Sequence, residues 1–152
     1  MTGWELIELK YKKKTDRPYL SKIDFVFFNH KRIKKAVQEV REDKGKKNYN
    51  GSGVSDPVAA VVLNNLSPLM FVYLDGRRLE NPETWLKLVD LVYKHVSDTG
   101  KCLLDSRYVR RESSAASYAR ANISQSTFSR MWKKIEHLQE LYAVQLGLIR
   151  VL

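Results

Sequence analysis

The stretch ISQSTFSRMWKKI, residues 123–135, reads either as an ordinary amphipathic helix or as one that turns its polar face to DNA. Which reading holds decides the fold. Phe128, Met131, Ile135 and Leu138 recur at spacings of three and four, the period of a helix with one packed face. Gln125, Ser126, Ser129, Arg130 and Lys133 then face outward. Upstream, residues 113–121 read as a short helix, and Asn122 stands where a tight turn needs positive φ, which Asn tolerates better than most residues. Ile123 is the apolar turn residue and Ser124 is placed to cap the next helix. Short helix, left-handed turn and half-packed second helix together make a helix-turn-helix over residues 113–146. Two positions depart from the usual pattern. Tyr118 stands where Ala commonly lets the helices approach, and Ala121 where a larger apolar residue is common, so the pair is expected to be spaced differently.

The outward residues suit duplex DNA chemically. The guanidinium of Arg130 can pair in bidentate fashion with guanine and the amide of Gln125 with adenine, while the hydroxyls of Ser126, Thr127 and Ser129 can reach bases. Arg107, Arg110, Arg111, Arg120, Ser124, Lys133 and Lys134 are the candidate phosphate contacts. Charge supports a polyanionic partner: 27 Lys and Arg against 17 Asp and Glu leave a formal net charge of +10 in 152 residues. The excess is not uniform. Residues 1–50 hold 14 basic and 7 acidic side chains, residues 51–100 hold 4 and 6, and residues 101–152 hold 9 and 4. Basic surface is therefore expected at the two ends of the chain, although the run Lys12, Lys13, Lys14 reads as a solubilising one.

Working outward, Gly147 is a natural stop for the last helix. Cys102 to Arg111 reads as a helix with Leu104, Tyr108 and Arg111 on one face, separated from the preceding helix by the break Ser97-Asp98-Thr99-Gly100. That preceding helix begins at Asn81-Pro82-Glu83, a cap, a first-turn proline and an acid beside the positive helix end. Trp85, Leu88, Val89, Val92 and Val96 supply its packed face. Before it, MFVYL at 70–74, then Asp75-Gly76 and a short charged arm to Glu80, spell a hairpin over 70–80 with a type I′ turn. Asp56-Pro57 opens a short apolar helix to about Leu66. The stretch KGKKNYNGSGVS, 44–55, mixes Gly, Asn, Ser and Lys without periodicity and reads as a linker. In the basic region 1–43, Ile23, Val26, His30, Ile33, Val37 and Val40 form a narrow apolar stripe on one helix, widened by Phe25, Phe27 and Phe28. The expected fold is mainly α, a helical bundle with one small β-hairpin and a C-terminal helix-turn-helix. Its expected divisions are 1–43, the linker 44–55, and 56–152.

No catalytic or cofactor signature stands in the sequence. Cys102 is the single cysteine, so neither an intrachain disulfide nor a cysteine zinc cluster can form, and a reducing cytoplasm is the expected compartment. His30, His95 and His137 lie far apart and make no metal motif. NGSGVS lacks the ending of a phosphate loop, and the serines of ESSAAS, 112–117, read as a helix start. No stretch approaches the roughly 20 apolar residues of a membrane span. No enzyme activity, cofactor, metal or membrane partner is expected.

Three segments in one order, ENPETWLKLVDLVY at 80–93, STFSRM at 126–131 and AVQLGLI at 143–149, give the chain a further likeness. It resembles the small phage-encoded transcriptional regulators of the RinA, ArpU and Alt type, and its helix-turn-helix is similar to region four of bacterial sigma factors. The resemblance implies an activator of phage late genes in the bacterial host's cytoplasm, which binds promoter DNA and recruits host RNA polymerase. It places base reading on Gln125, Ser126, Thr127, Ser129 and Arg130. Two other readings stay open. One is a phage packaging or assembly protein of the small-terminase kind, forming a ring-shaped homo-oligomer. The other is an interaction protein that docks partners through the apolar stripe of the first helix and the aromatic FVFF of 25–28.

Overall fold

The computed structural model describes residues 18–49 and 67–150. Within them the chain forms six α-helices and one antiparallel hairpin: α1 (Pro18–Phe28), α2 (His30–Tyr49), β1 (Phe71–Leu74), β2 (Arg77–Glu80), α3 (Pro82–His95), α4 (Asp98–Leu104), α5 (Ser114–Ala121) and α6 (Gln125–Gln145). A π-helical turn, Asp105–Val109, continues α4. The mainly α fold with one small hairpin agrees with the sequence reading. The described residues partition into a hairpin unit within 30–87 and a helical unit made of 18–29 with 88–150. Helix α2 runs on to Tyr49, into the stretch read as a linker. The rest of that linker and the helix expected over 56–66 lie outside the described residues.

In the hairpin unit, alternation along β1 buries Val72 and Leu74 and exposes Phe71 and Tyr73. Register pairs Phe71 with Glu80, Val72 with Leu79, Tyr73 with Arg78 and Leu74 with Arg77. Asp75 and Gly76 both take positive φ, 51° and 77°, as a type I′ turn requires. Ile33 and Val37 of α2, with Leu69, Val72, Leu74, Leu79 and Trp85, are this unit's buried apolar residues. Arg41 of α2 binds the Glu83 carboxylate and the Ser67 carbonyl, fixing the strand's approach and the start of α3 together. Arg32 reaches Asp75 at the hairpin tip, 2.7 Å away and exposed, so that pair adds little stability. Asn81 differs from the expected N-cap. Its φ is 52°, in the left-handed region, and its N–H donates to the Met70 carbonyl at 3.0 Å, so it closes the hairpin and lets Pro82 start the helix.

The stripe read as one helix over 23–40 is two helices. At Asn29, which separates them, the backbone N–H donates to the Phe25 carbonyl at 3.1 Å and the side-chain amide adds a second bond to the same oxygen at 2.8 Å, tying the residue to the last turn of α1. In the helical unit, α1 buries Ile23, Val26 and Phe27, α3 buries Leu88, Val89 and Val92, and α4 buries Leu103 and Leu104. The expected break at 97–100 is instead the start of α4. Ser97 accepts a hydrogen bond from the Gly100 N–H, the first turn follows, and a Cβ at Gly100 would meet Val96 Cβ at 2.9 Å.

Tyr108, on the π turn, is the centre of this unit's packing. Its ring lies 5.2 Å from Phe27, 4.8 Å from Phe28 and 5.9 Å from Trp132, centroid to centroid. Its hydroxyl donates to Asp24 at 2.8 Å and accepts from Gln139 at 3.2 Å, which joins α1 to α6 through a buried phenol. Burial, and after it the Asp24 charge, push that phenol's pKa well above the ordinary tyrosine value.

Candidate nucleic-acid interface

The turn between α5 and α6 has the expected left-handed residue. Asn122 sits at φ 56°, ψ 45°, and the Ile123 N–H donates back to the Tyr118 carbonyl at 3.0 Å, a Schellman closure of α5. Ser113 caps the start of α5 through the Ala116 N–H. Ser124 caps α6 in the same way, accepting from the Thr127 N–H at 3.2 Å while its hydroxyl donates to Thr127 Oγ1 at 2.9 Å. Sequence reading placed both helices and the turn within a residue.

The inner face of α6 is set about one position away from the expected stripe. Ile135, Gln139 and Ala143 are buried, Phe128 and Trp132 are half-buried in front of them, and the expected Met131 and Leu138 are half-buried flanking residues. Trp132 carried a usable signal, four residues after Phe128. Gln139 carried none, because its burial depends on the Tyr108 hydroxyl, which is distant in sequence. One of the two odd positions of the motif, Tyr118, finds a physical reason. Tyr118 packs its ring on Phe128, centroids 5.9 Å apart, so an aromatic pair fills the space that a closer crossing over Ala would eliminate. The small buried residue of α5 is Ser117, whose hydroxyl meets that of Ser106 on the π turn at 2.7 Å.

Outward, the helix presents Gln125, Ser126, Ser129, Arg130, Lys133 and Lys134, all exposed. The side chains of Gln125, Ser129, Arg130, Lys133 and Lys134 make no hydrogen bond or ion pair with any described residue. Ser126 approaches only the Ser124 hydroxyl, at 3.2 Å. Thr127 differs from the expectation, being half-buried with its hydroxyl held by Ser124, so it shapes the first turn instead of facing solvent.

The candidate phosphate contacts separate into two classes. Arg107 faces inward. Its guanidinium lies 5.1 Å from the Trp132 ring centroid and 5.6 Å from that of Tyr108, ion-pairs with Asp24 at 3.7 Å, and has a buried Nε without a hydrogen-bond partner among the described residues. Arg110 and Arg120 converge on Glu112. Arg120 binds both carboxylate oxygens at 3.0 Å and Arg110 one of them at 2.8 Å. Arg120, with Arg110 helping, holds the Glu112 carboxyl below the usual glutamate range. Arg111, at φ 55°, is exposed with its guanidinium 5.3 Å from the Phe28 ring centroid. Of the candidate phosphate contacts, the exposed cations without a partner among the described residues are therefore Lys133 and Lys134, which follow the turn.

The other candidate features resolve as packing. In the FVFF segment Val26 and Phe27 are fully buried and Phe28 packs on Tyr108, so the segment builds core and is not a docking surface. His95 lies beside the Leu91 carbonyl, 2.9 Å from Nδ1, and against the Tyr142 ring. Among the described residues no group of three metal-ligating side chains comes together, and no helix is long and apolar enough to cross a membrane. Cys102 is a half-buried free thiol. No protein-family model, curated protein or solved structure matches the chain.

Proposed function

We propose that the protein is a sequence-specific double-stranded DNA-binding protein that reads the major groove with the first half of α6. One observation carries this reading. Directly after a left-handed turn and a serine cap, Gln125, Ser126, Ser129, Arg130 and Lys133 share the exposed side of a helix whose other side is anchored by Ile135 and Gln139. A fixed helix with unengaged amide, hydroxyl and guanidinium groups is the apparatus that direct readout needs. Arg130 and Gln125 contact base edges, Ser126 and Ser129 bases or the sugar-phosphate chain, and Lys133 and Lys134 phosphates. Arg107 is withdrawn from the phosphate set because its engagement with Asp24 and three aromatic rings already accounts for it.

The wider role follows from the resemblance of 80–93, 126–131 and 143–149 to phage regulators: activation of late genes by recruiting host RNA polymerase to a promoter. Footprinting of the purified protein on DNA flanking its own gene, at two salt concentrations, tests the first step. A discrete protected site that persists at moderate salt supports sequence-specific binding. Diffuse protection that vanishes with salt leaves only the phosphate contribution and refutes base readout.

A further inference from the structure

The hairpin's outer face is unlike the rest of the surface. Met70 is 77% exposed, Tyr73 61% and Phe71 37%, and the two rings meet edge to face with centroids 5.4 Å apart. Across from them in the ladder stand Arg78 and Glu80, with Arg78 placing its guanidinium 4.2 Å from the Phe71 ring centroid. Tyr, Phe, Met and Arg are the residue types enriched in protein interfaces, and contiguous apolar exposure of this kind is what marks one.

Three features choose the occupant. Unpaired bases would need open ring faces, but the Arg78 guanidinium covers a face of Phe71 and Tyr73 meets its edge. A polyanion is also disfavoured, because the Glu80 carboxylate stands within the platform beside Arg78, 3.8 Å away. What remains is a surface carrying both charge signs around an aromatic centre, which is complementary to itself. A two-fold axis parallel to the sheet and running across the strands sets Tyr73 of one copy on Phe71 of the other. The same axis sets Arg78 of one on Glu80 of the other, and each contact repeats by symmetry. We propose that this face joins two copies of the chain in a two-fold dimer. The contact is made by the face and not by strand addition, since β2 is short and charged, the usual protection of an edge. This inference does not depend on the DNA-binding reading, because its test contains no DNA.

Five side chains, Met70, Phe71, Tyr73, Arg78 and Glu80, cannot bury the roughly 800 Å² per partner of a standard stable complex, so the dimer is weak. Sedimentation equilibrium of the full chain, carried up to concentrations on the order of hundreds of micromolar, reads the mass. The expected result is a monomer that approaches twice its mass as concentration rises. Tyr73→Asp should stay monomeric with unchanged far-ultraviolet circular dichroism, and Met70→Ser, a milder change, should weaken assembly if Tyr73→Asp fails to fold. Arg78→Glu alone should weaken assembly by at least about tenfold, both symmetry-related charge pairs being made repulsive. Arg78→Glu combined with Glu80→Arg should restore it. A wild-type chain that remains monomeric throughout overturns the proposal, whether or not an oligonucleotide or another protein binds the same face. A double exchange that fails to rescue overturns the two-fold arrangement.

Discussion

The arginines before the turn and the cations after it carry the same charge and lie in one folded unit, yet the fold treats them oppositely. Arg107 is pressed among three aromatic rings with Asp24 as its counter-ion, and Arg110 and Arg120 are both held by Glu112. Arg130, Lys133 and Lys134 have no such engagement with a described residue. Net charge therefore overstates the surface offered to a polyanion. Part of it is engaged within the fold, and the part that follows Ser124 is not engaged by any described residue.

The largest effect should come from breaking the engaged side. Tyr108→Ala removes the ring that Phe27, Phe28, Trp132 and the Arg107 guanidinium pack around, and strips Asp24 and Gln139 of their shared partner. Loss of a fully packed aromatic costs about 3–5 kcal/mol, measured by urea unfolding. If stability moves by less than about 1 kcal/mol, Tyr108 is not the centre described here. On the unengaged side, Arg130→Ala should leave unfolding unchanged and cost about 1–3 kcal/mol at a cognate site, with little change on random duplex. Equal losses on both DNAs would reduce Arg130 to a phosphate contact.

How much of this arrangement was legible depended on the range of the interactions. The turn at Asn122, the cap at Ser124 and the Asp75-Gly76 hairpin are written in a few consecutive residues, and sequence reading found them all. What it missed was set at long range. The inward turn of Arg107 needs Asp24 and Phe28, and the burial of Gln139 needs Tyr108. The break at Asn29 is a middle case: the stripe through Ile23, Val26, Ile33 and Val37 is real, but periodicity persists across a residue whose side chain bonds back to the last turn of α1. For the candidate site, the exposed set from Gln125 to Lys133 could be named from sequence. Which upstream arginines were already engaged could not.

The turn that separates the two groups of cations should respond next in size. Asn122 holds φ 56°, a conformation a non-glycine side chain adopts at a cost of roughly 1–2 kcal/mol, less for Asn. Asn122→Ala should therefore lower stability by about 1 kcal/mol, while Asn122→Gly should be neutral or slightly stabilising. Thermal unfolding of the pair checks the sign. An Ala variant as stable as the Gly variant would mean that the turn relaxes out of the left-handed region.

The subtlest change would move cations from the engaged group to the unengaged one. Glu112→Gln removes the negative charge that Arg110 and Arg120 share, without removing the side chain. Freed, the two guanidiniums can each neutralise a phosphate, and the logarithmic salt dependence of binding should steepen by up to about 0.9 per added contact. The sequence preference set by Arg130 and Gln125 should not change, since neither touches Glu112. Acid offers the same release without mutation. Glu112 has its carboxyl pKa lowered in the fold, so its ion pairs contribute fully above the ordinary value of 4.5 and are lost as pH falls through the lowered one. Across neutral pH the wild-type salt slope should therefore be constant, and the variant's should exceed it by the same amount throughout that range. A variant slope equal to wild type would mean that Arg110 and Arg120 stay away from DNA even when freed, which would confine the phosphate contacts to residues beyond Ser124.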